Sequence, residues 1–210
     1  MEEKSIYKYR VVCRRPKDLT AQGGEVIKET GVIHGRFQVL HNDHLKYLMS
    51  GKAGCRHLVV GITNPDPSLT RDDPSDPERS RPASNPLTYF ERYTLIRSAL
   101  KDEGLTDDEF SIVPFPINFP DLYHHYIPMN ATFFLTIYDR WGEQKLERFQ
   151  SLGLRTEILW RKPQEEKGLR GTEIRKRMIR GEPWENLVPP SAARLLKEWD
   201  IPGRLRGIRN

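Results

Sequence analysis

Apolar positions along the chain follow two alternating rhythms. Short continuous runs at 30–37, 57–63, 110–115, 131–138 and 155–160 read as buried strands. Between them apolar residues recur every three or four positions, the period of a helix with one buried face. Residues 44–53 place Leu45, Leu48 and Met49 on one side. Residues 88–100 place Tyr89, Tyr93, Ile96 and Leu100 on a core stripe behind a Thr88/Glu91 capping box. Helices are also predicted over 139–152, 172–180 and 191–199, the last following Pro189-Pro190. In the 172–180 helix Thr172 is the expected N-cap, with Ile174 and Met178 facing the core. Strands alternating with helices predict an α/β chain with a Rossmann-like, doubly wound parallel sheet.

Two segments stand outside this rhythm. Residues 1–29 carry a candidate strand (IYKYRVVCRR) and a Gly23-Gly24 turn, and read as an N-terminal extension. Residues 64–85 hold five prolines and four serines and almost nothing apolar, so they read as an inserted surface loop. Arg71, Arg79 and Arg81 give that loop the charge of a lid for an anion. With 210 residues the length suits one domain, taken as 30–200, followed by a basic tail at 201–210.

Composition narrows the class. The 37% hydrophobic share is enough for a core, and no run of about 18 apolar residues could span a bilayer. The first twenty residues lack the apolar stretch of a secretory signal. Cys13 and Cys55 form neither a disulfide framework nor a metal-ligand pair. A cytoplasmic location is therefore expected. Lys+Arg exceed Asp+Glu by 34 to 29, and residues 161–180 hold eight basic side chains against three Glu. Such a cluster suits nucleic acid, a polyphosphate, or simply a solvated helix face.

The candidate chemistry sits beyond the carboxyl ends of strands, where open parallel sheets bind ligands. The first such end reads GRFQVLHNDH, residues 35–44. Gly35 permits close backbone approach, Arg36 adds a cation, and Phe37 follows. His41 and His44, three apart as a helix begins, can face one point beside its positive end. Paired imidazoles and backbone N–H groups suit a phosphoryl group gaining charge in transfer. They also suit metal ligation, although no third ligand lies nearby, or capping and packing. The second candidate is Gly171, Thr172 and Arg175, a helix start carrying a guanidinium. It reads equally as an ordinary capped basic helix.

Taken together, the two segments resemble the HxGH nucleotidyltransferase superfamily, nearest the archaeal-type nicotinamide-nucleotide adenylyltransferases. HLVVGI, NPLTYFERYTLIRSAL, IVPFPINF and GTEIRKRMIRGEPWENLVP extend the resemblance over most of 31–199. It implies transfer of AMP from ATP to the 5′-phosphate of nicotinamide or nicotinate mononucleotide, as in NAD biosynthesis, with release of pyrophosphate. It also implies Mg²⁺ carried by the nucleotide, no covalent intermediate and a homo-oligomer. On this resemblance His41 and His44 contact the α-phosphate, Arg36 and Lys46 bind phosphates, and Thr172 and Arg175 hold the β- and γ-phosphates. Arg92 matches an arginine near the nucleotide, and Asn118 lines the nicotinamide side. Tyr123 stacks on the pyridine ring or belongs to the core.

Three departures bear on substrate. Asp43 replaces the glycine of the motif, which repels a triphosphate unless it turns away, caps the helix or ligates Mg²⁺; capping is the expectation. Arg170 replaces a serine. The turn after the fourth strand, with Tyr138 and Asp139, has no glycine before Gly142, which remodels the nucleoside subsite. The alternatives are therefore another phosphorylated acceptor, with CTP as a candidate donor, or a nucleotide sensor without turnover. A nucleic-acid partner is disfavoured, because Thr172 and Arg175 already have a tighter explanation.

Overall fold

The structure, a computed structural model, describes residues 27–71 and 80–208; the strand and turn expected within 1–26 lie outside the described residues. Five strands form one parallel sheet: β1 (Lys28–Gly35), β2 (Cys55–Thr63), β3 (Phe110–Phe115), β4 (Thr132–Ile137) and β5 (Arg155–Arg161). Their order is β3-β2-β1-β4-β5. The chain therefore winds outward from β1 in one direction and returns to β4 on its other side. This is the doubly wound arrangement that the alternating pattern predicts. Six α-helices among the described residues complete it: α1 (Asn42–Ala53), α2 (Tyr89–Asp102), α3 (Arg140–Ser151), α4 (Gly171–Arg180), α5 (Pro190–Glu198) and α6 (Ile201–Gly207).

Alternation along the strands sorts the core into two layers. Ile33, Leu58, Val60 and Ile62 face one side, against Leu48 of α1, Ile96 of α2, Ile174 and Met178 of α4 and Leu196 of α5. Val32, Phe115, Phe133 and Leu135 face the other, against Phe149 of α3. The pairing of β1 with β4 ends at Val32–Phe133. Beyond that register the two central strands separate, and a cleft opens at their carboxyl ends. Its position is the topological switch point of the sheet.

The β1–α1 loop at this opening is fixed by a buried cation. Arg92 projects from α2 with 1% of its surface exposed. Its guanidinium donates to the carbonyls of Arg36 (3.1 Å), Thr63 (2.8 Å), Asn64 (2.8 Å) and Pro65 (3.2 Å). Its Nε donates to Thr88. Burial pushes its pKa down to about 10, so it stays charged at neutral pH. The resemblance places Arg92 at the nucleotide; here its donors are turned onto the backbone, and the side chain positions the loops instead. α2 itself starts as predicted, with Thr88 and Glu91 forming a reciprocal capping box.

The segment expected as a basic tail is helical over much of its described length. It contains α6, whose Ile201 and Leu205 are buried in the core. Arg204 of α6 pairs with Glu91 at 2.7 Å, tying the end of the described chain to the start of α2. The periodicity missed this helix because it is only 7 residues long.

Replacing Arg92 with Met removes the shared donor and leaves the carbonyls dry. We expect Arg92→Met to lower the unfolding free energy by about 3–5 kcal/mol, as uncompensated buried polar groups cost. Arg92→Lys should recover only a minor part, since an ammonium lacks the planar fork. Urea denaturation checks both; a loss under about 1 kcal/mol for Met, the scale of an ordinary substitution, would show that the loops hold without it.

Candidate active site

The cleft has a volume of about 530 Å³ and is framed by the ends of β1 and β4, the start of α1, the start of α4 and one face of α3. It brings together His41, His44, Arg175, Gly35, Arg36, Phe37, Gly171, Thr172, Asn118, Tyr138 and Asp139. Lys46 is exposed on α1 and lies outside the lining. Tyr123 lies outside it too: it is 1% exposed, packs on Phe115 at 4.6 Å, and donates its hydroxyl to the Ile117 carbonyl. Of its two expected roles, the structure supports the core one.

The histidine pair is built by the helix start. His41 is the N-cap of α1, and its Nδ1 accepts from the His44 amide at 3.3 Å. That bond assigns the Nε2–H tautomer to neutral His41, leaving one donor on the far side of the ring. The two rings stack with centroids 3.6 Å apart. Burial lowers the His41 pKa to about 4, against the opposing pull of Asp43. Burial likewise lowers His44, helped by His41 and Arg36 and opposed by a hydrogen bond with the Val39 backbone. His44 Nδ1 is sealed from water and has no partner. Burial keeps both rings neutral at pH 7, and both line the cleft.

Asp43 lines the cleft but does not cap the helix, a role His41 takes. Its carboxylate accepts from the Leu169 amide at 2.6 Å, across 126 residues of sequence. The acid that replaces the motif glycine thus pins the lead-in to α4 onto α1. The N-cap of α4 is Arg170 rather than the expected Thr172. Thr172 sits in the first turn, where Arg175 Nη2 reaches its Oγ1 at 3.3 Å. Arg175 Nη1 donates to the Gln38 carbonyl. A Cβ on Gly171 would stand 2.5 Å from that same carbonyl, so only glycine lets α4 approach the β1–α1 loop this closely. Gln38 closes the arrangement with a two-way amide pair to Leu87, each bond 2.9 Å.

The field of the cleft is positive. Arg36, Arg71, Lys145, Arg148, Lys167, Arg170 and Arg175 line it, against the carboxylates Asp43 and Asp139. Asp139 is engaged at the N-cap of α3, accepting from Gly142 and pairing with Lys167 at 3.0 Å. Seven cations beside two occupied acids suit a polyphosphate. Of the 161–180 cluster, Lys167, Arg170 and Arg175 face this cleft, and four others are paired outside it. Arg161 pairs with Glu143, Lys162 with Glu166, Arg177 with Glu173 and Arg180 with Glu182. His34, Lys145, Arg148 and Lys167 line the cleft without having been singled out in the sequence. For His34 a signal existed: one polar residue at an inward position of an apolar strand.

The neutral histidines make a prediction about acid. Folded values depressed below 6.5 mean that unfolding takes up protons as pH falls from 6.5 toward about 4. The stability they contribute is full above pH 6.5 and is lost below it, at up to about 1.4 kcal/mol per pH unit for each ring. His41→Asn keeps the capping oxygen and removes one titrating ring. Thermal melts across pH 4–8 should show its acid slope shallower by about one proton, and parallel curves would refute the assignment.

The geometry agrees with what the chain is similar to. Residues 32–177 match the cytidylyltransferase-like family. The phosphonoformate cytidylyltransferase of Streptomyces viridochromogenes is 51% identical over 182 residues, covering 87% of this chain and 98% of that one. The nicotinamide-nucleotide adenylyltransferase of Thermococcus kodakarensis is 30% identical over 169 residues, covering 80% and 82%. In fold, a bifunctional NMN adenylyltransferase/ADP ribose pyrophosphatase from Francisella tularensis superposes with a TM-score of 0.61 at 15% identity, over 85% of this chain and 52% of that one. No helix among the described residues is long and apolar enough to cross a membrane. By the match over residues 32–177 and the identity to these relatives, the chain belongs to the cytidylyltransferase-like family and is a nucleotidyltransferase.

Proposed function

We propose that the protein transfers CMP from CTP to an oxygen of a small phosphonate or phosphate acid, releasing pyrophosphate. The observation that carries the reading is the convergence of His41, His44 and Arg36 with Thr172 and Arg175 in one positive cleft. The choice of CTP rests on the 51% identity to a cytidylyltransferase across nearly that enzyme's full length. The adenylyltransferase relatives support the same chemistry with ATP and a pyridine mononucleotide, but at 30% identity. Tyr123 also weighs against a pyridine acceptor, since its ring is packed in the core rather than offered for stacking.

In this mechanism the acceptor oxygen forms a bond to the α-phosphorus as the bond from that phosphorus to the β-bridging oxygen breaks. The electron pair leaves with pyrophosphate, and no group of the protein is covalently modified. His41 and His44 donate to the α-phosphoryl oxygens, where charge grows in the transition state. The first turn of α4, Thr172 and Arg175 hold the leaving phosphates, and Arg36 fixes the chain between them. Among the described residues no three His, Cys, Asp or Glu side chains gather to hold a metal. In this proposal magnesium arrives with the bound nucleotide, held by its phosphates.

Pyrophosphate release with Mg²⁺ and each of CTP, ATP, GTP and UTP tests it, with phosphonoformate, NMN, nicotinate mononucleotide or no acceptor. Release with CTP and phosphonoformate is expected, and His44→Ala should cut kcat by about 10²–10³-fold, the cost of one lost donor to developing charge. Release with ATP and NMN alone would sink the cytidylyl reading and leave the transfer chemistry standing.

A further inference from the structure

One buried group in the cleft has no partner and no place in the transfer chemistry. His34 follows Val32 along the inward row of β1, on the face that packs against α3. Its ring is 5% exposed and lies between Phe115 (5.4 Å) and Phe149 (5.3 Å). Neither Nδ1 nor Nε2 has a hydrogen-bond partner. A buried imidazole without a partner forfeits its hydration and regains nothing, so a position that only needed packing would favour an apolar side chain. Space is made for it: a Cβ on Gly61 of β2 would stand 2.9 Å from Phe115 Cβ and 3.4 Å from His34 Cβ.

The surroundings say what kind of group would satisfy it. Lys145, one turn into α3, is close enough to bear on the ring electrostatically. Arg148 stands one turn further along the same helix, and Asn118 follows β3; all three line the cleft with His34. Burial and Lys145 hold the ring neutral, so it offers one N–H rather than a second positive charge. A ring N–H, an ammonium, a guanidinium and an amide on the lining of one cleft, beside the ring of Phe149, are the donors a compact oxyanion needs.

We propose that His34, with Lys145, Arg148 and Asn118, binds a second anionic group of the acceptor, a carboxylate on the same small molecule whose phosphonate or phosphate oxygen attacks CTP. The inference rests on the transfer reading above and deepens it: the acceptor is a compact diacid rather than a nucleotide. His34 acts here on acceptor recognition and takes no proton in the transfer.

Two acceptors with the same reacting group separate the possibilities: phosphonoformate, which carries the carboxylate, and methylphosphonate, which does not. In wild type, phosphonoformate should be preferred in kcat/KM. His34→Leu should raise its KM about 10–100-fold, the worth of a charge-assisted hydrogen bond, while KM for CTP and turnover of methylphosphonate stay within about threefold. His34→Gln, which keeps an N–H donor, should recover part of the loss. A phosphonoformate KM within about threefold of wild type in the Leu variant overturns the proposal. If wild type releases no pyrophosphate with any pair, the transfer reading fails on its own. Histidine-ring NMR of wild type titrated with phosphonoformate still decides the subsite: a shift of the His34 ring supports it, and an unmoved ring at millimolar concentration overturns it.

Discussion

The cleft depends on one constraint: the β1–α1 loop must stay rigid while it is surrounded by positive charge. Carboxylates would hold the nearby guanidinium groups, but they would also cancel the field that attracts a polyphosphate. The protein uses backbone carbonyls instead. Arg92 gathers those of Arg36, Thr63, Asn64 and Pro65 from beneath, and Arg175 takes that of Gln38 from the α4 side. Carbonyl dipoles compensate a buried cation without neutralising it. The loop is fixed and the net charge of the site survives.

The same economy accounts for Asp43. A carboxylate in the first turn of α1 suits the helix dipole but sits beside the phosphate path. By accepting the Leu169 amide it becomes a strut between the two anion cradles. The start of α1 carries His41 and His44, while the start of α4 carries Thr172 and Arg175. Asp43 and the Arg175–Gln38 bond therefore set the spacing of the two cradles from opposite sides. Asp139 is handled likewise, capping α3 and pairing with Lys167 at the far wall. Both acids near the ligand are already committed to structure.

What the sequence made legible follows from which signals are local. Strands and helices with a full period and a cap were readable to within a few residues, and the Thr88/Glu91 box was read outright. The residues that line the cleft from the starts of α1 and α4 were readable because each group lies within a few residues at an element boundary. Arg92 was not, because its role depends on carbonyls 27 to 56 residues away that only the fold assembles. Tyr123 sits in a 3-10 segment, Pro120–His125, which has no hydrophobic period to betray its inward side. The carboxylate of Asp43 found its partner 126 residues downstream. Long-range polar pairing was the common blind spot.

The neutrality of the histidines completes the physical picture. Two stacked rings 3.6 Å apart cannot both be charged without strong repulsion, and burial already disfavours the first proton. In the free protein the cleft therefore draws an anion with its guanidinium and ammonium groups and with the start of α4. The imidazoles contribute directed N–H donors held in place by the N-cap of α1. In the proposed transfer a bound triphosphate would reverse the local sign, because negative charge beside each ring favours its protonated form. Under that proposal, donors that gain charge only once the nucleotide has arrived would stabilise the phosphoryl group at the moment its own charge grows. They do not pay the desolvation cost of two buried imidazolium ions in the empty site.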